Sequence, residues 1–366
     1  MPNRKHLPEF AGLRTIDFPS REELDTRLLR ARYKAEEQGL PKPDAVPPDE
    51  AFVAAKADPG GFAWRLLLMP FGDEEDFRTY LERFIAEIDT PAVTALIVGN
   101  CWDPGPANDH VDAVRDALVE HAGAFPALRA LFFGEVTREE ADRFSWIAQT
   151  DVSPLLAAFP GLREFVVRGA DEMTFGGSWG TFTLAWNLPR HETLRRLTIE
   201  THRLDPAVVR GVLSSDLPML EHLELYLGAR DGDGASPEDL APVLAGSAFP
   251  SLTSLALRNG QDTNALVAAL ADAPVTSRLS VLDLSLGTLT DKGAQILLDT
   301  PVFLDLDRLD LHYHHMSEEM TERVRGRFTE SGVGIDVGER QELEEYEDED
   351  DDDEYEEEPI YPAIVD

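Results

Sequence analysis

The feature that most constrains this chain is a hexad, L-x-x-L-x-L with conservative swaps, which returns eight times between Val93 and Leu311. The copies are VTALIV from Val93, LRALFF from Leu128, LREFVV from Leu162, LRRLTI from Leu194, LEHLEL from Leu220, LTSLAL from Leu252, LSVLDL from Leu279 and LDRLDL from Leu306. Their start-to-start spacings are 35, 34, 32, 26, 32, 27 and 27 residues, and a degenerate ninth copy, GVGIDV from Gly332, follows at 26. Within each copy the apolar positions 4 and 6 share one face of a short strand, and positions 3, 5 and 7 share the other. The segments between strands, such as DPAVVRGVLSS, SPEDLAPVLAG, TNALVAALAD and DKGAQILLDT, have helical spacing, and several start with a residue suited to an N-cap. No single strand-helix unit can bury its apolar stripe alone, so neighbours must stack and merge their stripes into one core.

The copy from Leu279 resembles the leucine-rich repeat family most closely. In LSVLDLSLGTLTDKGAQILL, residues Leu279, Leu282, Leu284, Leu289, Thr290, Gly293 and Leu297 fall where the ribonuclease-inhibitor-like subclass places its framework. The resemblance covers about Pro91 to Gly338 and implies a right-handed α/β solenoid, a horseshoe with a parallel concave sheet and convex helices. The early repeats depart from it through insertions, chiefly GADEMTFGGSWGTFTLAWNLPRHE after the third strand. The whole chain also resembles a group of bacterial leucine-rich repeat proteins common in high-GC genomes, through stretches such as HLPEFAGLRTIDFP and LDLSLGTLTDKGA. That resemblance implies an accessory role beside radical-SAM-like, ATP-grasp-like or hydrolase-like enzymes.

Residues 1–90 are expected to form an N-terminal α+β cap over the open end of the repeats at 91–338. Phe77, Tyr80, Leu81, Phe84, Ile85 and Ile88 recur at helical spacing, AWRLLLM reads as a short buried strand, and a charged helix spans about Glu22 to Glu37. Residues 339–366 form an acidic tail, with fourteen acids in the seventeen residues from Glu342 to Glu358, and are expected to be disordered. The tail ends in PIYPAIVD, an apolar cluster that solubility does not need; it reads as a docking motif, or as an anchor folding back over Arg168, Arg258 or Arg308.

Of the formal charge of -37, the tail carries -15, so residues 1–338 carry -22. An acidic body disfavours nucleic acid and anionic membranes and favours a neutral or basic protein or peptide partner. One cysteine, Cys101, excludes an intrachain disulfide, and no signal peptide or membrane-spanning run is present, so the expected location is cytoplasmic.

The stretch LDRLDLHYHHM concentrates histidines and aspartates. In a leucine-rich repeat the ninth residue turns inward to bond the adjoining turn; His314 takes that slot, as do Cys101 and His202 in their own copies, so these three are read as scaffold. Asp310 and His312 remain on the open face beside Asp283, a donor set of the kind that holds a divalent ion, but no spacing supplies supporting groups. Neither a metal nor a cofactor is assigned. GGSWG around Ser178 matches a nucleophile elbow, but the alternating TFTLAWN that follows is not a helix. The acidic loop at Asp231 and Asp233 lacks a third calcium ligand and reads as a turn into a helix capped by Ser236. A stand-alone enzyme is therefore not expected.

The open face itself remains. Position 5 passes from apolar Ile97, Phe132 and Val166 to acidic Glu224, Asp283 and Asp310, and position 7 contributes Arg168, Glu200, Tyr226, Arg258 and His312. Apolar, aromatic and arginine side chains side by side compose a protein-binding surface. The expected contacts are Phe132, Val166, Arg168, Glu200, Glu224, Tyr226, Arg258, Asp283, Asp310 and His312, with Ile97 and Phe132 alternatively covered by the N-terminal region.

Overall fold

The computed structural model describes residues 5–46, 49–68, 75–101, 110–137, 139–141, 143–170, 172–174, 181–228, 234–341 and 360–364. Two compact units divide the chain between Leu194 and Arg195. The acidic stretch 342–359, the Ser178 motif and the Asp231 loop lie outside the described residues.

In the first unit, β1 (Glu9–Phe10) pairs antiparallel with β2 (Leu13–Phe18). From β2 the strands β3 (Ala63–Leu66), β4 (Ala95–Gly99), β5 (Ala130–Glu135) and β6 (Glu164–Arg168) add in sequence order, each parallel to the last. The helices α1 (Arg21–Glu37), α2 (Glu50–Ala57), α3 (Phe77–Glu87), α4 (Val111–Glu120) and α5 (Ser153–Ala158) occupy the connections. In the insertion that follows β6, β7 (Glu172–Thr174) and β8 (Thr181–Thr183) make a separate antiparallel pair. In the second unit the parallel order is β9 (Arg196–Glu200), β10 (His222–Tyr226), β11 (Ser254–Arg258), β12 (Val281–Asp283), β13 (Arg308–Asp310) and β14 (Gly334–Asp336). Its helices are α6 (Pro206–Ser214), α7 (Ala241–Leu244), α8 (Thr263–Ala271), α9 (Asp291–Asp299) and α10 (Glu318–Glu330). No described helix is long and apolar enough to cross a membrane.

Register follows the repeat. Leu197, Leu223, Leu255, Leu282 and Leu309 are all at position 4, and each pairs with its equivalent on the next strand. All five are fully buried, and position 6 is buried beside them at Ile199, Leu225, Leu257, Leu284 and Leu311. Helix starts are locally encoded too: Asp205 and Asp262 cap α6 and α8 through their carboxylates. Ser236 does not cap α7, whose N-cap residue is Leu240; its amide and hydroxyl both donate to Asp239.

The parallel sheet also reaches into the residues assigned to a cap. Strand β2 pairs in register with β3 and β3 with β4, so Leu13-Ile16-Phe18 and Gly61-Trp64-Leu66 are two further copies of the hexad, disguised because most of their leucines are replaced. What covers the other face of this unit is the segment before β2. Phe10 packs on Phe132 with ring centroids 6.0 Å apart, in a cluster with Ala63, Ala95, Ile97, Ala130 and Val166, flanked by Leu7 and Leu13.

A buried ion pair fastens that segment. Arg65 Nε lies 2.7 Å from Glu135 Oε2, its Nη1 2.8 Å from Asp17 Oδ1, and its Nη2 donates to the Leu7 carbonyl at 2.6 Å. The Leu7 amide in turn donates to Glu135 Oε1 at 2.7 Å. His6 Nδ1 sits 2.9 Å from Glu135 and its Nε2 3.3 Å from Glu140. Burial acts against the imidazolium, but the two carboxylates outweigh it and raise the His6 pKa from 6.5 to about 9. A raised folded-state pKa means that this contribution is complete below pH 6.5 and lost as pH climbs through about 9. Hydrogen exchange at the Leu7 and Phe10 amides is accordingly expected to accelerate across that window beyond its intrinsic base dependence, and His6→Gln to abolish the extra acceleration.

Candidate functional site

The ten residues expected to contact a partner fall into two different environments. In the first unit, Phe132 and Val166 are not open to a partner: Phe132 is 1% exposed and Val166 8%, beneath Phe10 and its neighbours. Arg168 is buried as well, its guanidinium 5.1 Å from the centre of the Phe132 ring and donating to the Val136 carbonyl at 3.0 Å. The physical reason is that apolar odd positions on a strand demand cover, and the chain supplies it from its own Leu7, Phe10 and Leu13.

In the second unit the same strand positions carry polar groups that bond one another, and two of the expected contacts, Tyr226 and Asp310, are buried by these neighbours as Val166 is. Arg258, at the end of β11, is the centre. Its Nη1 contacts Glu224 Oε1 and the Tyr226 hydroxyl, both at 2.8 Å; its Nε donates to Ser285 Oγ at 2.9 Å and lies 3.5 Å from Asp283 Oδ2. The guanidinium carbon stands 4.9 Å from the centre of the Tyr226 ring, so β10, β11 and β12 are tied by one cation. Burial works against ionising Glu224, yet the hydrogen bond from His222 and the charge of Arg258 take it down to about 2. Burial raises Asp283, with Arg258 opposing. Glu200, on β9, is half-buried at the edge of the group.

A second cluster sits on β13 and β14. Asp310 accepts from His312 Nδ1 at 2.7 Å and from Arg308 Nη2 at 2.9 Å, and these partners overcome burial to hold its carboxyl at about 2. The hydrogen bond to Asp310 raises His312 in return. Asp336 completes a group in which Asp310, His312 and Asp336 each place one donor atom within 4.8 Å of the others. That set can hold a divalent cation with open positions, and an ion there would compete with Arg308 for Asp310. The expected third member, Asp283, belongs instead to Arg258. Asp336 was legible as position 5 of GVGIDV, paired in register with Asp310, but that copy's missing leucines hid it.

Of the other two histidines in the motif, His314 is scaffold. His314 is fully buried, its Nε2 3.2 Å from the Val337 carbonyl, and its Nδ1 accepts from the Met316 amide at 3.2 Å. Cys101 does the same work in the first unit, donating to the Leu66 carbonyl at 3.2 Å. Where glycine fills that slot, as at Gly260 and Gly287, threonines take over: Thr263 Oγ1 donates to the Gly260 carbonyl and accepts from the Thr288 amide.

No family model and no curated protein matches the chain. Among solved structures, a Bacteroides fragilis protein determined as a structural-genomics target matches over 89% of this chain and 86% of its own, with 24% identity and a TM-score of 0.64. This likeness shows a shared fold.

Because His312 is the first support of the Asp310 anion, His312→Ala should let the Asp310 carboxyl rise by about one pH unit toward the ordinary aspartate range, read by carbon-detected NMR titration.

Proposed function

We propose that this chain is a non-enzymatic interaction scaffold, a leucine-rich repeat solenoid that binds a neutral or basic protein or peptide on the open sheet face of its second unit. The observation that carries this reading is the row of acidic groups along that face: half-buried Glu200, Glu224 and Asp283, buried Asp310 and exposed Asp336. Such a row, next to Tyr226 and Arg258, steers cationic surfaces and repels polyanions. The first unit supports the same reading by contrast, since its equivalent face is already covered by Leu7, Phe10 and Leu13. Affinity capture at low and high salt is the test. Asp283→Asn with Asp336→Asn should weaken partner retention about tenfold at low salt, with the difference shrinking at high salt. Undiminished retention would move the contact surface elsewhere.

A second reading rests on the Asp310, His312 and Asp336 group: an accessory subunit of a modifying-enzyme pathway, beside a radical-SAM-like or ATP-grasp-like partner, whose side chains complete a metal-assisted site. Equilibrium dialysis against zinc or manganese should then give one ion per chain, lost in Asp336→Asn. Failure to retain an ion in the unaltered chain removes this reading and leaves the scaffold.

A further inference from the structure

The described end of the chain, residues 360–364, lies on the turns that follow β11, β12 and β13, where its polar contacts are with Asn259, Gln261, Leu286 and His315. Asn259, fully buried, reads Ile364 twice: its Nδ2 donates to the Ile364 carbonyl at 3.0 Å and its Oδ1 accepts from the Ile364 amide at 2.8 Å. The Ala363 amide donates to the Leu286 carbonyl at 2.8 Å. Gln261 Nε2 donates to the Ile360 carbonyl at 3.1 Å, and His315 Nε2 lies 3.2 Å from the Tyr361 carbonyl. Backbone groups therefore supply the polar recognition, which any extended segment can offer. Selectivity falls to Pro362 and Ile364, both buried, since Tyr361 is 54% exposed.

Two further observations mark this ledge as a built site. Asn259, Leu286 and Tyr313 hold the left-handed conformation at φ 57°, 65° and 57° in three equivalent turns. Asparagine tolerates that region, whereas leucine and tyrosine rarely enter it, and such backbone is retained at places that present groups to a ligand. Secondly, the two ends of stretch 342–359 land on adjacent residues: the Gln341 amide donates to the His314 carbonyl, and Tyr361 meets His315. Fourteen acids stand in the sequence between these two anchor points, and like-charge repulsion opposes docking of the end, so the specific contacts must carry it.

We propose that the ledge formed by Asn259, Gln261, Leu286 and His315 is a binding site for short extended peptides carrying an apolar Pro-x-Ile element, and that residues 360–364 are its resident occupant in cis. The exchanging partner is another protein with the same element between neutral or basic flanks, because a second copy would bring a further charge of -37 to an acidic surface. This site is distinct from the open sheet face and does not depend on it.

The test uses full-length proteins: the unaltered chain and a variant with Pro362→Asp and Ile364→Asp, whose end no longer fits. The probe is a fluorescein-labelled synthetic peptide, KKPIYPAIVK, followed by anisotropy. The variant is expected to bind with a Kd below about 1 mM and the unaltered chain at least about tenfold more weakly, because its own tethered end competes. The same peptide with aspartate at its Pro-x-Ile proline and isoleucine should bind neither protein. Gln261→Ala, milder than any change at buried Asn259, should weaken binding in the variant severalfold. Equal binding to both proteins overturns self-occupancy, and no binding to the variant at about 1 mM peptide overturns the site. If circular dichroism shows the variant unfolded, the end is part of the core and the proposal fails.

Discussion

Everything in this structure depends on the burial of positions 4 and 6 on every strand against the helices. Ten such side chains on β9 to β13 and the turns beyond them are buried almost completely, and a strand shifted by one residue would exchange them for Glu224, Asp283 and Asp310. Because the penalty for that exchange is large and repeats at each strand, register is decided locally and then copied. Parallel pairing of like with like, position 4 on position 4, follows from stacking identical units.

The opposite face has no such common rule, and the two units solve it in opposite ways. Where odd positions are apolar, an additional piece of chain is recruited, and its polar backbone must be satisfied inside a dry interior. Arg65 and Glu135, 5% and 1% exposed, meet that need by bonding one another and both backbone groups of Leu7. Removing either partner would strand a buried charge, which costs about 3–5 kcal/mol, so the pair serves to position the segment more than to stabilise the fold. Where odd positions are polar, no cover is needed. Arg258 pairs with both Glu224 and Asp283 within the sheet surface, leaving these side chains half-buried.

This division explains what was legible in the sequence. Strand register, the buried role of His314 and the helix at Phe77–Glu87 follow from short-range periodicity, and all of them could be read without coordinates. The copies at Leu13 and Gly61 were obscured because glycine, isoleucine, tryptophan and phenylalanine stand in for leucine at the equivalent positions. The covering of Phe132 by Phe10 joins residues more than a hundred positions apart, and no periodicity reports such a contact. Within the polar cluster, the pairing of Asp283 with Arg258 and of Asp310 with His312 is set by side-chain reach across neighbouring strands. Sequence spacing gives the strand and the face but not which of two carboxylates an arginine selects.

The same reasoning bears on why this face stays open. A carboxylate that is already neutralised by a neighbour gains little from a partner's charge, so Glu224 and Asp310, each held near 2 by internal partners, contribute mainly shape and orientation. Asp283 and Asp336 differ: Asp283 accepts from the Ser285 amide at 2.9 Å, but its ion pair with Arg258 is long, at 3.5 Å, and burial pushes it upward, while Asp336 is exposed at the rim. An incoming cation would relieve the burial penalty on Asp283 without first breaking a tight internal ion pair. Affinity for a basic partner should therefore be concentrated in the carboxylates that the fold leaves least satisfied, which are not the ones whose acidity it perturbs most.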